Sequence, residues 1–363
     1  MNIVQVCPRY YPDSGGVEKI VQEISERLVK RGHKVEVVTT DPTGMLPGHE
    51  TINNVKIVRF KSFAPDDAYY FPPGIYSYLK GLDCDLIHAH NYHAFPALIA
   101  CMARNSQKLI LSPYYHGKGH TFFRNLLFKL YNLVFGTYFF NKADMIVSPS
   151  DFEAEMLLRD FKLDRSKFLT ITPGVDDALF NLSGSKNPDK NHSILFVGRI
   201  EEYKGLQYVI EAMEYISGID EHGFVLNVVG SGPYKDRLQK MAEKRKVKII
   251  WHGQTSKEQL YQQYREADLL VLLSGFETFG IVVAEALASK VPALVVKNSA
   301  LGEFVDDKVC FSVEDPADKK ELGDKILEIC NMQIDFSGLS DRKVRSWDKV
   351  ADEYEQAYMD ICE

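Results

Sequence analysis

The sequence predicts an α/β protein made of two doubly wound parallel sheets, and three observations carry that reading. Short apolar runs alternate with amphipathic helical segments, the pattern of strands joined by crossover helices. A turn-rich polar stretch from Thr172 through Pro188 interrupts the alternation, which then starts afresh. A chain of 363 residues is also too long for one ordinary domain, so two cores of roughly 170–190 residues are expected. With 45% hydrophobic and 12% aromatic residues there is enough apolar material for both cores, and global disorder is excluded.

In the first half, strands are expected at about 2–7, 35–39, 55–60, 85–89, 108–112, 144–148 and 167–171, and helices at about 16–31, 73–81, 93–104, 122–142 and 150–160. In the second half, strands are expected at about 194–197, 225–229, 247–251, 269–273 and 293–296, with helices at 204–217, 233–245, 256–266 and 280–289. The domains are therefore placed at 1–173 and 191–345, joined by a linker at 174–190. Two such halves facing each other would bind a ligand in the crevice at their carboxyl strand edges.

Six scattered cysteines, at 7, 84, 101, 310, 330 and 362, form no close pairs, which argues against a zinc site or disulfide framework and for a reducing compartment. The opening residues MNIVQVCPR read as a first strand rather than a signal peptide, because Pro8 and Arg9 break the apolar run. No apolar run reaches a membrane-spanning length, so a cytoplasmic location is expected. Residues 1–173 carry 20 Lys+Arg against 17 Asp+Glu, and the remainder 23 against 33. Neither half is basic enough for nucleic acid, while the +3 to −10 asymmetry suggests that the first half faces something anionic.

The most informative segment is GFETFGIVVAEAL at 275–287. It sets Glu277 on a tight turn, opens a helix directly behind it, and places Glu285 inside that helix. Gly280 would let a ligand approach the backbone, and the amides of Phe279, Gly280 and Ile281 lack helical acceptors, which makes a ready anion site. The bland reading is an apolar helix with Ile281, Ala284 and Leu287 on one face and two incidental glutamates. Earlier, VGRIEEYKG at 197–205 carries Arg199 and Lys204 from a strand end into a helix, a charge pattern suited to a diphosphate; the alternative is solvated cations beside Glu201 and Glu202. Gly230-Ser231-Gly232-Pro233 either contacts the base or ribose or is only tight turn chemistry, and the structural reading is preferred.

In the first half, Gly15 and Gly16 open a helix after the first strand, in a turn that either meets a phosphate or sugar or is only a turn, and they do not form a dinucleotide fingerprint. His116, beside Gly117 after a strand, is the first candidate for a sugar contact, with His90 second. His88, His90 and His93 raise a metal question, rejected because no nearby cysteine or carboxylate completes a site. Residues 122–140, FFRNLLFKLYNLVFGTYFF, suit either a core helix, which is preferred, or an interfacial surface for a lipid acceptor.

Taken in order, Gly15-Gly16, His116-Gly117, Gly198-Arg199 with Lys204-Gly205, Gly230-x-Gly232-Pro233 and the Glu277-x₇-Glu285 pair resemble a family 4 glycosyltransferase of the GT-B fold, over nearly the whole chain. The resemblance implies two Rossmann-like domains around a donor-binding cleft, with a closing helix at about 346–363 packing back onto the first domain. It implies sugar transfer from a nucleotide diphosphate sugar (UDP- or GDP-linked) with retention, to a glycan or lipid-linked acceptor. No cofactor and no required metal are implied. By position, Arg199 and Lys204 would bind the diphosphate, and Phe279, Gly280 and Ile281 would offer amides. Glu285 would hold the ribose, Glu277 and His116 the donor sugar, and Gly16 the diphosphate. Contact with a membrane through 118–140 is the accompanying expectation. The alternatives are a nucleotide-sugar epimerase of the same fold and a non-catalytic nucleotide-sugar-binding subunit. The chain departs from the family pattern at Gly174 in the linker, at Lys290 where glycine caps the helix, and at 299–303, where paired glycines are missing.

Overall fold

The computed structural model describes residues 1–13, 15–64, 70–117, 122–182, 191–219, 223–340 and 343–363. By contact these form two compact units, Met1–Pro173 with Trp347–Glu363, and Gly174–Ser346. The expected linker 174–190 lies partly outside the described residues.

The first unit holds an eight-stranded sheet among its described residues: β1 Asn2–Val6, β2 Lys34–Asp41, β3 His49–Ile52, β4 Val55–Lys61, β5 Leu86–His90, β6 Lys108–Ser112, β7 Met145–Ser148 and β8 Phe168–Thr170. The order is β3-β4-β2-β1-β5-β6-β7-β8, so the winding reverses beside β1. All neighbours are parallel except β3 on β4, an antiparallel edge hairpin that the apolar pattern did not reveal because only Ile52 in HETI is strongly apolar. β5 is buried at every position, as a parallel strand covered on both faces must be.

The helix Gly16–Lys30 buries Ile20, Val21, Ile24 and Leu28 along one face. The closing helix Trp347–Cys362 buries Trp347, Val350, Ala351, Tyr354 and Tyr358 in the same unit. The two helices are stitched by Arg27–Asp348 at 2.6 Å and Arg31–Asp352 at 2.5 Å, surface pairs that contribute less than about 1 kcal/mol each. The single helix expected at 122–142 is instead two, Phe122–Tyr131 and Thr137–Lys142, joined by a wider π turn at Asn132–Gly136. Gly136 sits against Phe161, where a Cβ would come within 2.3 Å of the ring.

The second unit is a six-stranded, wholly parallel sheet: β9 His192–Val197, β10 Phe224–Val229, β11 Ile249–Gly253, β12 Leu269–Leu272, β13 Ala293–Val296 and β14 Cys310–Val313, in the order β11-β10-β9-β12-β13-β14. Ser256 and Gln259 close a reciprocal capping box on the helix Lys257–Glu266. After Ile281–Ala288, Lys290 takes the left-handed position with φ 58°, and the amides of Lys290 and Val291 bond back to Leu287 and Ala286. The turn thus keeps the geometry glycine would favour without glycine. β14 and the helix Lys319–Asn331 lie beyond the elements expected from sequence. The expected linker is partly structured as well. Val175 bridges to Ser346, Asp177–Phe180 forms a helical turn, and Leu179 joins the second core.

At the centre of the first unit is a buried polar chain. Gln5 Nε2 donates to the Tyr358 hydroxyl at 3.1 Å, and that hydroxyl donates to His88 Nδ1 at 2.6 Å. His88 Nε2 then donates to Ser112 Oγ at 2.9 Å, and His90 Nε2 donates to Gln5 Oε1 at 2.7 Å. Each imidazole is neutral in this arrangement, with both its nitrogens engaged. Burial pushes His88 well below the usual range, reinforced by His90, and holds His90 and His93 at about 3. The unfolded chain takes up protons below about pH 6.5 that the folded unit refuses, so stability rises with pH across this window. Each histidine withdraws about 1.4 kcal/mol per pH unit as pH falls. Glu153, pushed up to about 8 by burial, acts in the opposite sense between 8 and 4.5, offsetting one of the three. Urea unfolding followed by Trp347 fluorescence in Trp251→Phe is therefore expected to show stability dropping by on the order of 3 kcal/mol per pH unit below 6.5. Equal stability at pH 7 and pH 5.5 would rule out the neutral network.

Candidate active site

In the second unit, β9 pairs with β10 on one side and β12 on the other, so the loops leaving β9 and β12 diverge at the carboxyl edge. A ligand crevice opens at such a point in doubly wound sheets. The loop after β9 carries Arg199 and Lys204; the loop after β12 carries Glu277 and leads into the helix Ile281–Ala288. The structure joins them. Lys204 Nζ forms an ion pair with Glu277 Oε1, Tyr203 meets Phe276 edge-on at 5.8 Å, and Gly205 leaves no room for a Cβ beside the Leu273 carbonyl at 2.7 Å.

Lys204 and Glu277 are mostly withdrawn from solvent, with side chains 15% and 16% exposed. Burial pulls the Lys204 ammonium down, but Glu277 and the nearby Tyr203 phenol outweigh it and hold it above the usual lysine value. The lysine therefore stays cationic. Its ammonium also lies 5.4 Å from the Tyr203 ring centroid. Arg199, by contrast, is 64% exposed and bonded to Glu201 at 3.1 Å, the solvated arrangement, although its charge is felt at Lys204.

Gly280 caps the helix with φ 106°, a backbone conformation that favours glycine. Packing requires glycine there as well: a Cβ would meet Leu301 Cδ2. Phe279 is buried against Phe304, with ring centroids 5.0 Å apart. The amides of Gly280, Ile281 and Val282 have no backbone acceptor among the described residues, which leaves the helix's positive end available. Ala300 N donates to the Glu277 carbonyl at 3.2 Å and Ser299 Oγ to the Ser274 carbonyl at 3.0 Å, so the 299–304 segment fixes the Glu277 turn from behind.

Glu285 is 3% exposed, and the Tyr264 hydroxyl donates to its Oε2 at 2.8 Å. It lies one turn into the helix and is almost wholly withdrawn from solvent. Tyr264 is a partner that sequence reasoning missed, because nothing in the spacing of residues 264 and 285 announces a contact between two helices. The Ser299 cap was legible in principle, as a serine preceding a short helical turn. Gly230 and Gly232 are packing devices: a Cβ on either would strike the Gly198 or Ile200 carbonyl, at 1.9 and 2.3 Å.

In the first unit, Gly15 is extended and begins the helix Gly16–Lys30. Its Cβ position is taken by the Glu18 carboxylate, itself buried and paired with Arg9 at 3.3 Å. Nothing lies within 4 Å of a Cβ on Gly16, which is solvent-exposed. His116 is half-buried in the loop after β6 and electrostatically coupled to His93. His93 stacks on Phe128 at 3.8 Å, and His88 and His90 belong to the core network, so the second candidate, His90, is a structural residue. No group of three potential metal ligands occurs among the described residues.

Two doubly wound parallel domains, with a lysine–glutamate pair at the switch point of the second, define a GT-B glycosyltransferase. Residues 14–179 match the model of Glycosyltransferase Family 4 and residues 180–344 that of Glycosyl transferases group 1, and the chain belongs to glycosyltransferase family 4. An uncharacterized glycosyltransferase of Methanocaldococcus jannaschii is 26% identical over 338 residues, covering 85% of this chain and 84% of the relative. An alpha-monoglucosyldiacylglycerol synthase of Streptococcus pneumoniae is 25% identical over 332 residues, covering 85% and 74%. In fold, the chain is similar to the crystal structure of HepE from Anabaena in complex with UDP and glucose, with a TM-score of 0.75, 16% identity and 99% of each chain covered.

Proposed function

We propose that this glycosyltransferase transfers a hexose from a UDP- or GDP-sugar to a glycan or lipid-linked acceptor, with retention at the anomeric carbon and no required metal ion. The observation that carries the reading is the Lys204–Glu277 pair, a cation kept charged while largely desolvated at the switch point of the second unit. As the anomeric C–O bond breaks, negative charge grows on the departing diphosphate, and a preorganised ammonium beside a helix N-terminus stabilises it. The acceptor oxygen attacks the same face that the diphosphate leaves, and its proton passes to the departing phosphate oxygen. Glu277 holds donor-sugar hydroxyls, Glu285 the ribose, Arg199 the diphosphate with Lys204, His116 the sugar and Gly16 the diphosphate.

A thermal-shift panel of UDP, GDP and ADP with EDTA present tests the donor site. A nucleotide at a hundred times its dissociation constant adds about 2.7 kcal/mol of stability. Stabilisation by one base is expected. Lys204→Ala and Glu277→Ala are expected to lose about 30- to 1000-fold in turnover, or about 2–4 kcal/mol, while remaining folded. Wild-type rates in either variant, or strict dependence of wild-type turnover on a divalent ion, would refute the reading.

The acceptor reading is supported by the diacylglycerol-based name of the streptococcal relative and by one surface. Leu126, Leu130, Leu133, Val134 and Tyr138 are 57%, 57%, 83%, 56% and 44% exposed. Over 122–142 the sequence contains no acidic residue, and Lys129 and Lys142 are exposed. An exposed apolar stripe flanked only by cations suits the inner face of an anionic bilayer. No helix among the described residues is long and apolar enough to cross a membrane. Residues 118–121 of the expected contact lie outside the described residues. Co-sedimentation with phosphatidylglycerol vesicles is expected, and is expected to be lost in Leu133→Glu/Val134→Glu. Binding unchanged by that pair of substitutions would exclude this stripe.

A further inference from the structure

Resting on the reading of His116 as a donor-sugar contact, we infer that Glu153 is a positioning residue, a buried carboxyl that sets the His116 loop by accepting the Tyr115 amide. Glu153 is fully buried in the helix Asp151–Phe161, whose N-cap Ser150 accepts the Glu153 amide at 3.1 Å. In a capping box its side chain would turn back to the N-cap amide. Here it reaches out instead: Oε1 accepts the backbone N–H of Tyr115, the residue before His116.

The loop has reason to need a clamp. Tyr114 has φ 50° and Gly117 φ 72°, so left-handed residues flank Tyr115 and His116 on either side. For a tyrosine that conformation costs about 1–2 kcal/mol and persists only where surroundings enforce it. The same helix supplies two more fixings. Tyr115 donates its hydroxyl to Asp160 Oδ2 at 2.9 Å, and a Cβ on Gly117 would meet Met156 Sδ at 2.7 Å. Glu153 is the fixing that acts on the backbone between the two left-handed residues.

Ser148 Oγ lies 2.9 Å from both the Ser150 carbonyl oxygen and Glu153 Oε2. Burial pushes the Glu153 carboxyl up to about 8, which favours the protonated form at neutral pH; Oε2 then donates to Ser148 Oγ, and the hydroxyl donates to Ser150. A glutamine reproduces the pattern, with its oxygen on the Tyr115 amide and its amide donating to Ser148, whereas a methionine of similar length does neither.

The test compares donor hydrolysis, measured as nucleotide released from UDP-glucose and GDP-mannose, in the full chain and in Glu153→Gln, Glu153→Met, His116→Ala and His116→Ala/Glu153→Met. Glu153→Met is expected to lower kcat by about 10- to 100-fold, the cost of a small misplacement of a contacting group. Its thermal shift with UDP or GDP is expected to match wild type, because the diphosphate-binding cations lie in the second unit. Glu153→Gln is expected to retain kcat within about threefold, and the double variant to lose no more than His116→Ala alone. Wild-type kcat in Glu153→Met, failure of Glu153→Gln to rescue, or additive losses in the double variant would overturn the inference. Should Glu153→Met not fold, slow hydrogen exchange of the Tyr115 amide in the wild-type protein still supports the clamp, and fast exchange overturns it. A wild-type rate in His116→Ala would instead strike at the sugar-contact role itself, and this inference would fall with it; loss in His116→Ala without loss in Glu153→Met would sink only the clamp.

Discussion

A parallel sheet leaves chemistry very little room, and most of what is functional in this chain follows from that constraint. Strands fed by crossover helices are covered on both faces, so a charged side chain on either face would be buried without a partner. β9 and β12 show the result: β12 is buried throughout, and the polar groups lie at or beyond the two ends of these strands. Because the connections from β9 and β12 leave in opposite directions, their loops part at the carboxyl edge. Lys204 and Glu277 come from these two loops, and their contact is what the winding of the sheet makes possible.

Elsewhere the fold solves the same problem by removing charge. His88 and His90 are enclosed with Gln5, Tyr358, Ser112 and Tyr114 in a chain that has a consistent direction only if both rings are neutral. Glu153 is pushed toward its neutral form by burial. Lys204 is the exception among these withdrawn groups, since its charge is retained by pairing rather than lost. The difference separates what serves packing from what serves chemistry. A neutral network specifies how the closing helix seats within the first unit, whereas Lys204 keeps its charge at the carboxyl edge of the second sheet, where an anionic ligand can meet it.

The strand–helix alternation was legible because each parallel strand is a continuous apolar run and each covering helix has one apolar face. The elements that escaped notice broke one of those conditions. β3 has a half-exposed pattern with a single aliphatic residue, and the π turn at 132–136 arises from packing of Gly136 on Phe161, which no periodicity encodes. At the site, Lys204, Glu277 and the Gly280 cap were legible as residues on strand-end turns. Their relations were not. The reason for glycine at 280 is Leu301, twenty-one residues on, and Glu285 is engaged by Tyr264 from another helix. Distant pairings of this kind are set by tertiary packing, and single positions in a sequence carry no trace of them.

An ion pair of this kind is weak evidence for stability, because desolvating both charges cancels much of their attraction. The Lys204–Glu277 pair is better understood through what an arriving diphosphate would change. Glu277 keeps the ammonium protonated and aimed while the site is empty, at the moderate cost of occupying one of its donors. An ammonium has three donors, so it can accept a phosphate oxygen without surrendering the glutamate. Glu277, once its lysine is shared with a second anion, has lone pairs to offer to sugar hydroxyls, which are neutral donors and do not repel it. A lysine alone would bind the diphosphate but leave the sugar unoriented; a glutamate alone would repel the diphosphate. On the proposed function, the pair, held on a turn fixed from behind by Ala300 and Ser299, serves an anionic leaving group and a hydroxyl-rich sugar in one desolvated place.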